Sequence, residues 1–255
     1  MDLVWGNQLM TDLSAVQIGV LMLVFTWSGF VRAGLGFGGT ALALPFALVV
    51  VESAQVVVPL LLVQLCVFSV MNTWRRFDNI DLRYVGYLTA LLVLPVLAGV
   101  FTLINLPDQG LITLVYLCVL GFAIQYIAQF EFKIASKAVD LFLLMLGGYV
   151  LGSTTAGGPP IVAVSMRYVA RDKVRDTLLG LWSLFSVMNL IVLFQADVDL
   201  QWRSQLWLLP ATVVGHVIGE RFHRQLLTMQ TAVFYRVLGG ALLVVTVIGL
   251  IKLWG

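Results

Sequence analysis

Polar positions along this chain are sparse, and between them run long stretches that carry no charge. Val56 to Val70, Tyr87 to Ile104 and Val237 to Ile251 contain no Asp, Glu, Lys or Arg. Such runs approach or reach the roughly 20 residues that a helix needs to cross the hydrocarbon core of a bilayer. The ten-residue segments of alternating polarity that mark a membrane barrel are missing. Backbone groups in hydrocarbon must be satisfied within their own segment, so the runs predict helices. The pattern therefore predicts an all-α polytopic membrane protein with about eight full spans and up to ten membrane segments.

Composition agrees: 60% of the 255 residues are apolar and 11% charged, with a mean hydropathy of +1.00. A soluble domain carries about 45–50% apolar and about 25% charged residues. The first crossing begins near Ser14 and follows Asp2 and Asp12 rather than a basic segment, so no cleaved signal peptide is expected. Cys66 and Cys118 lie inside apolar runs and suggest neither a disulfide framework nor a metal cluster. A net charge of +2 gives no reason to expect nucleic acid as a partner. The lipid bilayer is the expected surround, and no cofactor is expected.

The chain shows an internal duplication. FSVMN occurs at Phe68–Asn72 and again at Phe185–Asn189, an offset of 185 − 68 = 117. Gly-rich GLGFGGT at Gly34–Thr40 stands opposite STTAGGP at Ser153–Pro159, an offset of 153 − 34 = 119. Pro95 and Pro210 are 210 − 95 = 115 apart, and Tyr116 with Gly121 recurs as Tyr235 with Gly240, 235 − 116 = 119 on. Landmarks in one order at similar offsets predict two related halves, residues 1–130 and 131–255, forming one transmembrane domain.

Loop charges set the orientation. Arg75, Arg76 and Arg83; Lys133 and Lys137; Arg167, Arg171, Lys173 and Arg175; and Arg221 with Arg224 mark loops expected inside the cell. Acidic or neutral links at the N-terminus, Glu52, Asp108, and Asp197 with Asp199 are expected outside, as are both termini, in the cell (inner) membrane. Residues 14–50 must then begin and end outside, and residues 137–170 begin and end inside. Each half reads as a two-armed segment followed by three spans. Because each half makes an odd number of crossings, the second is inverted relative to the first.

Both two-armed segments turn at the Gly-rich string, and their returning arms, Gly38 to Val50 and Pro159 to Tyr168, are short for a crossing at 1.5 Å per residue. Glycine supplies the close backbone approach that a break inside a membrane requires. Pro159 suits the first turn of a helix, where its missing N–H costs nothing. Two helix N-termini near the midplane, with unpaired N–H groups and positive dipole ends, make an anion site from backbone. Non-helical backbone at that depth is tolerated only inside protein or along a wet cavity. The candidate binding residues are Gly34, Gly36, Gly38, Gly39 and Thr40 in the first string, and Ser153, Thr154, Thr155, Gly157, Gly158 and Pro159 in the second. The competing reading is that small residues merely let helices pack closely.

Other polar residues in the spans are candidates too. Arg32 is either a fixed charge partner for the anion or a side chain that reaches the headgroups. His216 is a candidate for proton coupling, with a structural, hydrogen-bonded histidine as its alternative; H+ or Na+ is the expected coupling ion. Glu220, one turn on, is expected to pair at the helix end. Asn72 and Asn189 are candidates for lining a cavity, with interhelical hydrogen bonding as the alternative.

SGFVRAGLGFGGTALALP at Ser28–Pro45, GSTTAGGPPIV at Gly152–Val162 and LLPATVVGHVIGERFHRQL at Leu208–Leu226 resemble the sulfite exporter TauE/SafE family, also described as the domain of unknown function 81 group. The resemblance covers nearly the whole chain. It implies transport of sulfite, sulfonates or related organosulfur anions, and by match it puts Gly34, Gly36, Gly38, Gly39, Gly157, Gly158 and Pro159 at the motif positions. The second string departs from a more glycine-rich pattern in having Thr155 and Ala156 before its glycine pair.

A membrane-embedded hydrolase is the rival class, but Glu220 follows His216 by four places, so HExxH is absent, and no Gly-x-Ser-x-Gly elbow occurs. The chain is therefore not expected to be an enzyme. An anion channel could use the same backbone site. The inverted repeat favours a secondary transporter, in which one repeat rocks about a central site to give alternating access.

Overall fold

The computed structural model of the chain describes residues 13–35, 38–129, 136–229 and 232–255. Among these residues the secondary structure is helical and contains no strand. In chain order the α-helices are α1 (Ala15–Leu35), α2 (Gly39–Val51), α3 (Ala54–Arg75), α4 (Leu82–Asn105), α5 (Asp108–Ala128), α6 (Lys137–Thr154), α7 (Gly158–Tyr168), α8 (Val174–Gln195), α9 (Trp202–Met229) and α10 (Ala232–Trp254). Seven of them, α1, α3, α4, α5, α6, α8 and α10, are long and apolar enough to cross a membrane. The eighth long helix, α9, has 28 residues but is interrupted by Arg203, Gln205, His216, Glu220 and Arg221. The chain is thus an all-α polytopic membrane protein. Outward side chains such as Leu94, Phe101, Phe142, Val237 and Ile251 are more than half exposed. A water-facing surface would not carry so many, whereas lipid tails accept them.

The returning arms are the short helices. α2, with 13 residues, reaches about 20 Å and α7, with 11, about 16 Å, against a hydrocarbon core of roughly 30 Å. The arms that precede them, α1 and α6, have 21 and 18 residues and rank among the candidate spans. Each two-armed segment therefore joins a span to a short return.

The helices gather into two compact units. One unit comprises Met1–Leu60, Pro107–Glu131 and Asp199–Gly255, the other Leu61–Leu106 and Phe132–Val198. Each draws helices from both halves of the sequence.

In the first unit α1 packs along α9, and the crossing is made by glycines. A Cβ at Gly29 would lie 2.1 Å from the Thr212 carbonyl oxygen, and one at Gly215 would lie 1.8 Å from that of Thr26. Asp108 accepts from the Ser53 hydroxyl (2.6 Å) and the Gln55 N–H (2.9 Å). Lys252 pairs with Glu52, and the Trp254 indole donates to Thr113 Oγ1 at 3.3 Å. The α2–α3 link, the start of α5 and the end of α10 thus share one end of this unit.

In the second unit α4 packs along α6, again through glycine. A Cβ at Gly152 would lie 2.0 Å from the Val96 carbonyl oxygen, and one at Gly99 would lie 2.2 Å from that of Tyr149. Asp81 caps α4 by accepting from the Tyr84 N–H at 3.0 Å, and its own N–H donates to Thr177 Oγ1 at 3.0 Å. The Asn79 amide donates to Asp176 (2.6 Å) and to the Asp172 carbonyl (3.0 Å). Arg167 pairs with Asp140, which also accepts from the Tyr168 hydroxyl at 2.7 Å. The α3–α4 link, the start of α6 and the α7–α8 link therefore meet at one end. These are connections that the loop charges assign to a single side.

Candidate functional site

The first break begins where α1 stops at Leu35 and ends where α2 starts at Gly39. Gly38 holds the N-cap with φ +80°, a left-handed conformation that a side chain would strain. The first bond inside α2 runs from the Leu42 N–H to the Gly38 carbonyl at 2.9 Å, so the N–H groups of Gly39 and Ala41 have no partner within the helix. Gly39 is wedged against α1: a Cβ there would lie 2.6 Å from the Ser28 carbonyl and 2.8 Å from Arg32 Cβ. The Ser28 hydroxyl donates to the Gly39 carbonyl at 3.1 Å and holds the two arms together. Arg32 is buried at 4% exposure, with its guanidinium 3.5 Å from Ser28 Oγ, so its side chain stays inside the unit. Thr40 is buried as well. Gly34, in α1, abuts α9, where a Cβ at Gly219 would come within 3.1 Å of its nitrogen. Gly36 lies outside the described residues.

The second break begins at Thr155, which ends α6 with φ +59° and donates its N–H to the Leu151 carbonyl at 3.0 Å. Ser153 and Thr154 direct their hydroxyl protons into α6, to the carbonyls of Tyr149 (2.9 Å) and Val150 (2.8 Å). Thr154 Oγ1 also accepts from the Ala156 N–H at 3.2 Å, which fixes the turn. Gly157 is wedged against α6, since a Cβ there would lie 2.0 Å from the Gly147 carbonyl. α7 then opens with Gly158, Pro159 and Pro160. Proline has no N–H, so in this first turn Gly158 alone brings a donor. The two short helices differ accordingly: α2 presents several N–H groups, whereas α7 presents one and the positive end of its dipole.

A shared feature survives that difference. At each break one glycine is wedged against the preceding arm and its neighbour faces open space. A Cβ at Gly38 would meet nothing within 4 Å, and one at Gly158 would meet only Trp182 Cζ2, at 3.9 Å. Both glycines are partly exposed in otherwise buried surroundings. At the start of each short helix one glycine thus has open space where a side chain would stand.

His216 is buried on α9, against the turn of α1 that holds Gly29, and its Nε2 is 3.5 Å from Glu220 Oε1. Asn72 spends its amide N–H on the Phe68 carbonyl of its own helix at 2.8 Å. Asn189 is buried at 1% exposure, and its Oδ1 accepts no hydrogen bond among the described residues. It lies two turns along α8 from Trp182, the buried indole that faces Gly158.

The glycine crossings were not singled out from the sequence, although a signal was there. GYVLG at Gly148–Gly152 and GHVIG at Gly215–Gly219 are both of the small-xxx-small type that lets helix backbones touch in a membrane. Ser28 carried no comparable signal, because its partner lies across a chain reversal.

Residues 21–249 match the family model described as Sulfite exporter TauE/SafE. The match spans both breaks and every helix from α2 to α9. No curated protein and no solved structure matches the chain. The chain therefore belongs to the sulfite exporter TauE/SafE family of membrane transporters for sulfur anions.

Proposed function

We propose that this chain is a secondary transporter for a sulfur oxyanion or a sulfonate, with anion-binding backbone at the N-terminus of each short helix, α2 and α7. The observation that carries the reading is the open space at Gly38 and Gly158, each at the start of a short helix within a break. Helix N-termini favour negative charge through unpaired N–H groups and the macrodipole. Broken helices of this kind hold substrates in transporters built from inverted repeats. The equivalent packing of α1 on α9 and of α6 on α4 supports reading the halves, 1–130 and 131–255, as such repeats.

The test is thermal stability of the purified protein in sulfite, sulfate, thiosulfate, taurine, sulfoacetate and acetate. A ligand at a hundred times its Kd stabilises the folded state by about 2.7 kcal/mol. One sulfur anion is expected to raise the apparent Tm of the wild type, while Gly38→Val and Gly158→Val remain folded and show no rise. Stabilisation that persists in both variants removes the site. Accelerated exchange of labelled anion against unlabelled anion in the opposite compartment is expected of a transporter and not of a channel.

For coupling, we assign the proton to His216, buried beside Glu220 in α9. The expected outcome for His216→Gln is transport that no longer responds to a proton gradient; an unchanged response removes the assignment.

A further inference from the structure

Apart from the two breaks, the second unit contains a cavity of about 770 Å³ beside the α6–α7 hairpin. Its wall is formed by Tyr84, Tyr87, Tyr168, Leu141, Leu144 and Val164. Tyr87, Leu141 and Tyr168 are 58%, 46% and 57% exposed, so the cavity is open at the surface of the unit. The tyrosines form a continuous aromatic surface: the Tyr84 and Tyr168 rings stack with centroids 6.5 Å apart, and Tyr84 and Tyr87 lie 6.3 Å apart.

Four charged residues complete the lining: Asp81, Arg83, Lys137 and Asp140. The two acids are committed to partners. Asp81 caps α4 at the Tyr84 N–H, and Asp140 holds Arg167 and the Tyr168 hydroxyl. The two bases are not: Arg83 and Lys137 are exposed and have no carboxylate partner among the described residues. Both also stand in the first turn of a helix, α4 and α6 respectively, where the dipole already disfavours a cation. Loop charge bias explains why bases lie at this end of the protein, but not why two uncompensated ones flank one aromatic cavity at two converging helix N-termini.

We infer that this cavity is a binding site for one anionic phospholipid, with the headgroup phosphate held by Arg83 and Lys137 and an acyl chain lying along Tyr84, Tyr87, Leu141 and Leu144. Basic pockets between transmembrane helices on the basic-loop side suit anionic headgroups, and tyrosine suits the boundary between chain and headgroup. A lipid seated there touches α4, α6 and α7 together, and so fastens the second short helix to its neighbours.

The test is native mass spectrometry of the delipidated full chain titrated with phosphatidylglycerol or phosphatidylcholine. Wild type is expected to retain one phosphatidylglycerol at least tenfold more tightly than phosphatidylcholine. The double variant Arg83→Gln, Lys137→Gln is expected to lose that preference. Arg75→Gln, Arg171→Gln removes the same charge from the same end, away from the cavity, and is expected to keep it. Leu144→Trp, which fills the cavity and leaves both bases in place, is expected to weaken phosphatidylglycerol binding. Equal losses in the two charge variants would show general surface attraction and overturn the proposal. Competition by glycerol phosphate at the same concentration as the lipid would show a site for a free anion, and would overturn it equally.

Discussion

The glycines of this chain do three different jobs, and substitution separates them. Gly215 is a contact glycine: a Cβ there would lie 1.8 Å from the backbone oxygen of Thr26, and neither atom can rotate away. Gly215→Ala must push α1 and α9 apart, and overpacking of that kind costs about 1–3 kcal/mol. Gly38 is a conformational glycine: its Cβ has room, but φ is +80°, so Gly38→Ala should cost about 1–2 kcal/mol through the backbone alone. Gly19 is neither, with open space around it inside α1, so Gly19→Ala should be neutral or should stabilise by about 0.5–1 kcal/mol. Apparent Tm values of the three variants in detergent check the order: Gly215→Ala lowest, Gly38→Ala intermediate, Gly19→Ala at or above wild type. The sequence showed where the glycines cluster but not which job each performs. That division depends on partners such as Thr26, far away along the chain.

At the scale of elements, the two-armed segments were legible because their signals are local. A glycine string marks the reversal, and the charge-free length after it is too short for a span, so α2 and α7 were placed to within a residue or two. The packing that holds them was not legible, because it joins residues on opposite sides of the reversal. Asp140 near the start of α6 binds Arg167 and Tyr168 at the end of α7, which closes that hairpin at the end remote from the break. Asp140 is buried and the Arg167 side chain is 24% exposed, so the pair is only weakly screened. Hydrogen bonds to charged groups contribute about 1.5–3 kcal/mol. A double-mutant cycle of Asp140→Asn with Arg167→Gln should return a coupling of about that size in unfolding measurements. Additive effects would mean that this pair contributes nothing to holding α7. The amphipathic character of α9 is explained at this scale as well. Its Gly215 and Gly219 face α1, its His216 lies buried on the same contact, and Glu220, Arg221 and Phe222 are exposed.

For the molecule as a whole, the inverted-repeat reading makes a prediction that neither residue nor element can make. Each half contains a span with FSVMN followed by a short link: Asp78 lies in the first link and Ala196 in the second, 196 − 78 = 118 positions apart, within the range of offsets that relates the halves. Both residues are exposed. If the halves were repeated in parallel, corresponding links would lie on the same side of the membrane. If they are inverted, the links must lie on opposite sides, and the bases at Arg75 and Arg76 against the acids at Asp197 and Asp199 say which is which. In a chain lacking Cys66 and Cys118, Asp78→Cys and Arg171→Cys should react with an impermeant maleimide only in inside-out vesicles. Ala196→Cys and Gln109→Cys should react only in right-side-out vesicles. Asp78→Cys and Ala196→Cys labelled from the same side would end the inverted-repeat reading, and with it the argument for alternating access. Labelling from opposite sides with the polarity reversed would keep the repeat and overturn only the orientation drawn from loop charge. The comparison works because it sets one link against its own counterpart, so reagent access and local sequence affect both alike.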